Sequence, residues 1–134
     1  MNMPAVPETY QDLLADEKKA YAYLATTMKD GTPQVTPVWF NTDGECILIN
    51  SAAGRIKDRN MRARPNIALC IADPADPYRY IQIQGKVIEY TTAGADAHID
   101  TLAFKYTGKE KYPYRKPEEQ RVTYKILPTK IDAH

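Results

Sequence analysis

The chain has 134 residues, 43% of them hydrophobic and 26% charged, which are the proportions of one globular domain. Eighteen Lys and Arg nearly balance seventeen Asp and Glu, for a formal net charge of +1. That balance excludes a general nucleic-acid coat, which needs a strong basic excess, so any basic function is local.

The opening residues MNMPAVPETY have neither a basic region nor an apolar signal core, and no apolar run approaches membrane-spanning length. A cytoplasmic protein without a membrane partner is expected. Pro7 suits the first turn of a helix, and Tyr10, Leu13 and Leu14 then share a face, which predicts a short amphipathic helix over residues 7–18. Residues 21–28 are β-branched and aromatic enough for a strand. Asp30-Gly31 turns the chain into a second strand over residues 33–41, and Asp43-Gly44 into a third over residues 46–51. These elements read as an antiparallel meander.

Residues 55–64 break the β pattern and predict a helix that Pro65 stops near Arg64. The next strand, residues 66–73, is apolar at every second position on both faces and predicts burial on both sides. Residues 78–90 alternate, with Ile81, Ile83, Gly85 and Val87 on one face; Gly85 in mid-strand predicts a bend or close approach at a barrel corner. Thr92 is placed to cap a helix whose apolar face holds Ala95, Ile99, Leu102, Ala103 and Tyr106, with Gly108 past its end. His98 lies beside that face and reads as structural. A polar loop over residues 109–120 leads to a closing strand over residues 121–131. Cys46 and Cys70 sit in apolar runs and read as small core side chains, reduced in the cytoplasm; His98 and His134 are too isolated for a metal site. The sum is a mainly β fold with short helices: one domain over residues 1–134, a six-stranded antiparallel barrel.

Two features carry chemistry. Arg55, Lys57, Arg59, Arg62 and Arg64 crowd a stretch that follows Asn50-Ser51 and the small-residue loop Ala52-Ala53-Gly54. A helix N-terminus presents unpaired N–H groups and a positive dipole end, so Arg55 and Lys57 in its first turn make sense if an anion binds. The alternative is a solvated basic face, to which Arg59, Arg62 and Arg64 belong. In Gln34-Val35-Thr36-Pro37-Val38-Trp39, the interior proline implies an edge or bulge, where free backbone groups suit a flat heterocycle; Trp39 lines that site or sits in the core.

The segment QVTPVWFNTDGECILINSAAGRIKDRNMRARPNIALCIADP, followed by YIQIQGKVIEY, resembles the pyridoxamine 5'-phosphate oxidase-like split β-barrel superfamily. It looks most like the subgroup of flavin and deazaflavin-dependent oxidoreductases that use coenzyme F420. The resemblance covers residues 21–131 and rests on the order of its motifs. It implies an FMN-binding type of split barrel, a homodimer, and a cofactor (coenzyme F420, with FMN as the alternative) at the subunit interface. Arg55 and Lys57 would hold the phosphate with Asn60 nearby, and Asn50 and Ser51 would position the phosphate or ribityl chain. The ring would lie on Thr36, Pro37, Val38 and Trp39, and the partner subunit would contribute from the strand starting at Tyr78. The tail carboxylates of the deazaflavin would meet Lys57, Arg55 and Arg59. Closing residues ILPTKIDAH lack the arginine-rich segment of true pyridoxamine phosphate oxidases, so that reaction is not expected. The implied activity is hydride transfer to or from a small organic substrate, with Tyr112 and Tyr114 as candidate proton donors; a non-catalytic flavin or deazaflavin carrier is the other reading.

Overall fold

Both Asp-Gly turns form where the sequence places them. Asp30 Oδ1 accepts from Thr32 N at 3.0 Å, and Asp43 Oδ1 from Glu45 N at 3.0 Å and Cys46 N at 2.7 Å. The computed structural model describes residues 4–134. In it these turns join β1 (Ala22–Thr27) to β2 (Pro33–Val38), and β3 (Phe40–Thr42) to β4 (Ile47–Ala52). Then follow α1 (Ile56–Ala63), β5 (Asn66–Asp73), β6 (Asp76–Thr91), α2 (Ala95–Thr107) and β7 (Arg121–Ala133).

The strands form one antiparallel sheet in the order β2-β1-β5-β6-β7-β4-β3. The expected second strand is divided at Trp39, so seven strands form rather than six: β2 pairs with β1, whereas β3 pairs with β4 at the other edge. The sheet therefore curls into a split barrel. Register aligns Leu24, Leu69 and Ile83 in one interior row and Phe40, Ile49 and Tyr124 in another, all buried. Burying each such side chain contributes about 1.5–3 kcal/mol.

Three expectations need correction. Residues 7–18 form two 3-10 helices, Glu8–Leu14 and Asp16–Lys18, separated by extended Ala15. Arg79 donates to the Thr9 carbonyl and to Asp12, drawing this segment onto the barrel, while Leu13 still buries fully. Thr92 does not cap α2. Gly94, at φ 74°, precedes the helix, and the Thr92 carbonyl accepts from Ala95 N at 3.2 Å. Strand β5 buries Ile67, Leu69 and Ile71 but leaves Ala68 exposed and Cys70 and Ala72 half-buried. No element among the described residues covers its outer face, so Cys70, unlike Cys46, lies outside the core. Among the described residues no helix is long and apolar enough to cross a membrane, and no group of three or more His, Cys, Asp or Glu could hold a metal.

Gly85 sits where the β6–β7 register shifts. A Cβ there would lie 2.8 Å from Ile126 Cγ2 and 3.1 Å from the Leu127 carbonyl oxygen. Gly85→Ala is expected to lower stability by about 1–3 kcal/mol through this overpacking. Urea unfolding checks it; an unchanged midpoint would mean that Ile126 yields without cost.

Candidate functional site

The basic stretch divides by partner. Gly54, at φ 91°, turns β4 into α1, and its N–H donates to Asp58 Oδ2 at 2.8 Å. Asp58 is buried and also accepts from Arg62 Nε at 2.8 Å and from the Tyr124 hydroxyl. Burial opposes its ionisation, but these donors prevail and hold the carboxyl below the usual carboxylate range. Arg62, so paired, lies over the Tyr90 ring at 4.5 Å. Arg64 donates to the Thr27 carbonyl at 2.6 Å and to Asn60 Oδ1 at 3.1 Å, and Arg59 is exposed. Only Arg55 and Lys57 of this stretch reach a cleft of about 620 Å³.

One wall of that cleft is aromatic. Pro37, Val38 and Trp39 meet Tyr21 and Tyr23 there, and Tyr112 and Tyr114 approach from the loop after α2. Trp39 stacks on Tyr106 (5.2 Å, 10°), which stacks on Tyr21 (5.3 Å, 11°), and Tyr112 meets Trp39 edge-on at 6.2 Å. Ile99 and Leu102 of α2 add an apolar surface. The polar lining consists of Asn50, Arg55, Lys57 and Arg121.

Charge among these residues is unbalanced. Arg55 Nη2 pairs with Glu119 Oε2 at 2.8 Å, whereas half-buried Lys57 has no acidic partner among the described residues. Burial, reinforced by Arg55 and Arg121, pushes the Lys57 ammonium below its ordinary 10.5. Arg121 is 5% exposed; its Nε donates to Asn50 Oδ1 at 2.9 Å, while Nη1 has no hydrogen-bond partner. Burial likewise lowers its pKa. Three cations against one carboxylate favour an anion. Behind them, Asn50 Nδ2 donates to the Ala95 carbonyl at 2.9 Å and to His98 Nδ1 at 3.2 Å; His98 Nε2 lies 2.9 Å from Asn41 Oδ1. Since Nδ1 must accept, the neutral ring carries its proton on Nε2.

The structure thus gathers Pro37, Val38, Trp39, Asn50, Arg55 and Lys57 into one cleft. The other residues expected at the site do not line it. Asn60 is buried and donates to Thr26 Oγ1 at 3.0 Å, which makes it a tie between α1 and β1. Thr36 Oγ1 and Ser51 Oγ are buried without partners, and Tyr78 is 89% exposed. Arg121, Tyr21 and Tyr23 line the cleft without having been expected there. One sequence signal was available for Arg121: a charged residue opening the otherwise core-like strand RVTYKILP.

Residues 6–134 match the family description of pyridoxamine 5'-phosphate oxidase. No curated protein sequence matches the chain. Among solved structures, a protein named F420 reductase is similar with a TM-score of 0.82 and 35% identity, covering 95% of this chain and 98% of that one. A protein of Listeria innocua provisionally named a pyridoxamine 5'-phosphate oxidase has a TM-score of 0.70 and 17% identity, with coverage of 94% and 95%. A conserved hypothetical protein of Mycobacterium tuberculosis has a TM-score of 0.70 and 18% identity, with coverage of 99% and 88%. The last two share the split-barrel fold; their identities carry nothing further.

Burial, with the Arg121 charge, lowers the His98 pKa from its ordinary 6.5 to about 4. The unfolded chain therefore takes up this proton first, and stability is fully present above pH 6.5 and lost as pH falls towards 4. The slope approaches about 1.4 kcal/mol per pH unit in that window. Denaturation of wild type and His98→Gln at stepped pH checks this; the variant is expected to lack that increment, and parallel curves would refute the linkage.

Proposed function

This chain belongs to the pyridoxamine 5'-phosphate oxidase family, and from that membership and the cleft we propose an oxidoreductase that binds coenzyme F420, or alternatively FMN, and moves a hydride to or from a small organic substrate. One observation carries the reading: Arg55, Lys57 and Arg121 line the same cleft as a set of aromatic rings, of which Trp39 and Tyr21 stack on Tyr106. The residues fit such a cofactor. The volume of about 620 Å³ lies in the range of small-molecule sites. The unpartnered Arg121 Nη1 calls for an acceptor. Similarity to a protein named F420 reductase, and a surplus of cations suited to the carboxylates of the deazaflavin tail, favour F420 over FMN.

When bound, either cofactor supplies a tricyclic ring that accepts or releases a hydride. Arg55, Lys57 and Arg121 would hold its anionic groups, while Pro37, Val38 and Trp39 would lie against the ring. Ile99 and Leu102 exclude water from the apolar side. Neither a carboxylate nor a histidine lines the cleft among the described residues, so a required proton would come from Tyr112, Tyr114 or solvent. That same lining favours the second reading, a non-catalytic carrier, which a reductase assay with bound cofactor separates from the first. Free thiols at Cys46 and Cys70 suit a cytoplasmic setting.

The reading includes a homodimer. Tyr23 belongs both to the cleft and to a second, outer hollow lined by Val35, Ala68, Cys70 and Gln82. A second copy seated on this uncovered face would adjoin the cleft, and Tyr78 would be offered across the interface. Sedimentation is expected to give one species near twice the chain mass; a monomer that still binds cofactor at full strength would remove the second copy from the site.

Fluorescence titration with F420 and FMN tests the site itself. Lys57→Ala is expected to weaken binding about tenfold to a hundredfold, the equivalent of about 1.5–3 kcal/mol for a charge-assisted contact. Rising salt should weaken the wild type as well. Arg62→Ala, whose guanidinium belongs to Asp58, should stay within about twofold of wild-type affinity. Equal effects at both positions would reduce the basic stretch to a structural helix.

A further inference from the structure

Arg121 is the most buried cation of the cleft, yet part of its guanidinium is uncommitted. The carboxylate nearest Nη1 is Glu119 Oε2 at 3.9 Å, beyond hydrogen-bond reach and engaged with Arg55 at 2.8 Å. The Tyr112 ring lies 5.3 Å from its central carbon. A buried charged donor without an acceptor is among the most costly arrangements a fold can retain. Its orientation, by contrast, is fully specified. Nε is fixed by Asn50 Oδ1; the Asn50 amide cannot turn over, because its Nδ2 is held by the Ala95 carbonyl and His98 Nδ1; and His98 is held in turn by Asn41 Oδ1. Thr123 Oγ1, 3.4 Å from His98 Nδ1, packs on the same side of the ring. Every link is polar and directional, and the chain of contacts leaves Nη1, itself enclosed, without an acceptor in a guanidinium that lines the cleft.

We propose that Arg121 is a ligand, through its guanidinium, for the phosphate of the molecule the cleft binds, and that His98 and Asn50 are positioning residues that aim it. This rests on the cleft taking a phosphate-bearing ring cofactor. A guanidinium locked at Nε offers its remaining N–H groups in a fixed plane, matched to two oxygens of a tetrahedral anion. Arg55 and Lys57 are more exposed; they add charge, and Arg121 adds geometry. His98 contributes only while neutral, because a proton on Nδ1 would oppose the Asn50 donor and release the amide that holds Arg121.

The test separates phosphate from ring. Wild type, Arg121→Gln and Arg121→Lys are titrated with the deazaflavin nucleoside and with its 5'-monophosphate, which differ in the phosphate alone, folding being followed by circular dichroism. Arg121→Gln is expected to lose about tenfold or more for the monophosphate and less than twofold for the nucleoside, with partial recovery in Arg121→Lys. His98→Ala should reproduce the selective loss, and His98→Gln, whose amide can accept from Asn50 and donate to Asn41, should restore affinity. Equal losses for both ligands, or no loss for either, would overturn the proposal. If wild type binds neither F420 nor FMN, the cofactor reading fails on its own. Orthophosphate titration of ¹⁵N-arginine-labelled protein then decides: a saturable shift of the Arg121 Nε signal, identified by its absence in Arg121→Lys, keeps the anion ligand, and an unmoved signal overturns it.

Discussion

Strands β2 and β3 stand at opposite ends of the sheet order, yet Trp39 alone separates them in the chain. Laid flat, seven strands at their usual spacing would hold these edges about 29 Å apart. Two residue steps span only about 7 Å. The sheet must therefore curl until its edges nearly meet, and the barrel follows from this one covalent constraint. Helix α2 seals the seam. The Tyr106 hydroxyl donates to the Ala20 carbonyl at 2.6 Å and accepts from Phe40 N at 3.2 Å, while Lys105 Nζ donates to the Phe40 carbonyl at 2.6 Å. Backbone groups at the crossing that no neighbouring strand satisfies thus find side-chain partners. Burial lowers the Lys105 pKa, with Asp16 at 3.5 Å opposing that shift.

The cleft follows from the same crossing. Where β2 leaves the sheet, Pro37 and Val38 border an open edge, and Trp39 turns its ring onto Tyr106, the residue that closes the seam. Rings that seal the barrel are therefore continuous with the wall a ligand would touch. Asn50 and Arg121, joined by a side-chain hydrogen bond between neighbouring strands β4 and β7, bring polar groups to the same opening. Rigid strands and α2 thus fix one side of the site. The loop after α2 is held less deeply, through Arg115 Nη2 and Tyr112 N to Asp100 Oδ1 at 2.7 and 2.8 Å.

Local chemistry was legible in the sequence, and distant pairing was not. Asp-Gly turns, the alternation around Gly85 and the Gly108 helix stop depend on a few neighbouring residues, and they appear where the pattern puts them. Pro37 announced an edge strand, and β2 is one. The division at Trp39 could not be read, because it depends on which edge partner the chain meets on each side of the ring. The basic stretch shows the same limit. Five cations look alike in sequence, but Asp58, Thr27 and Asn60 claim Arg62 and Arg64 and Arg59 is exposed outside the cleft, leaving Arg55 and Lys57 to it. Arg121, far along the chain, joins them only through the β4–β7 pairing of Ala52 with Arg121.

That selection bears on why the first turn of α1 is basic. Stability alone would favour Ser, Thr, Asp or Asn before the helix and acidic residues in its first turn. Here Arg55 occupies the capping position without a side-chain cap, and Lys57 follows in the turn. Each cation so placed opposes the dipole by about 0.3–1 kcal/mol. Asp58 offsets part of this by taking the Gly54 N–H, but its charge is shared with Arg62 and Tyr124. The fold therefore tolerates unfavourable charge where it could have avoided it, and a buried guanidinium nearby with an unused donor repeats the pattern. Departures from local stability rules that converge on one cleft are what a site kept for a ligand would show. An anion in the cleft is the condition under which Arg55, Lys57 and Arg121 become favourable together.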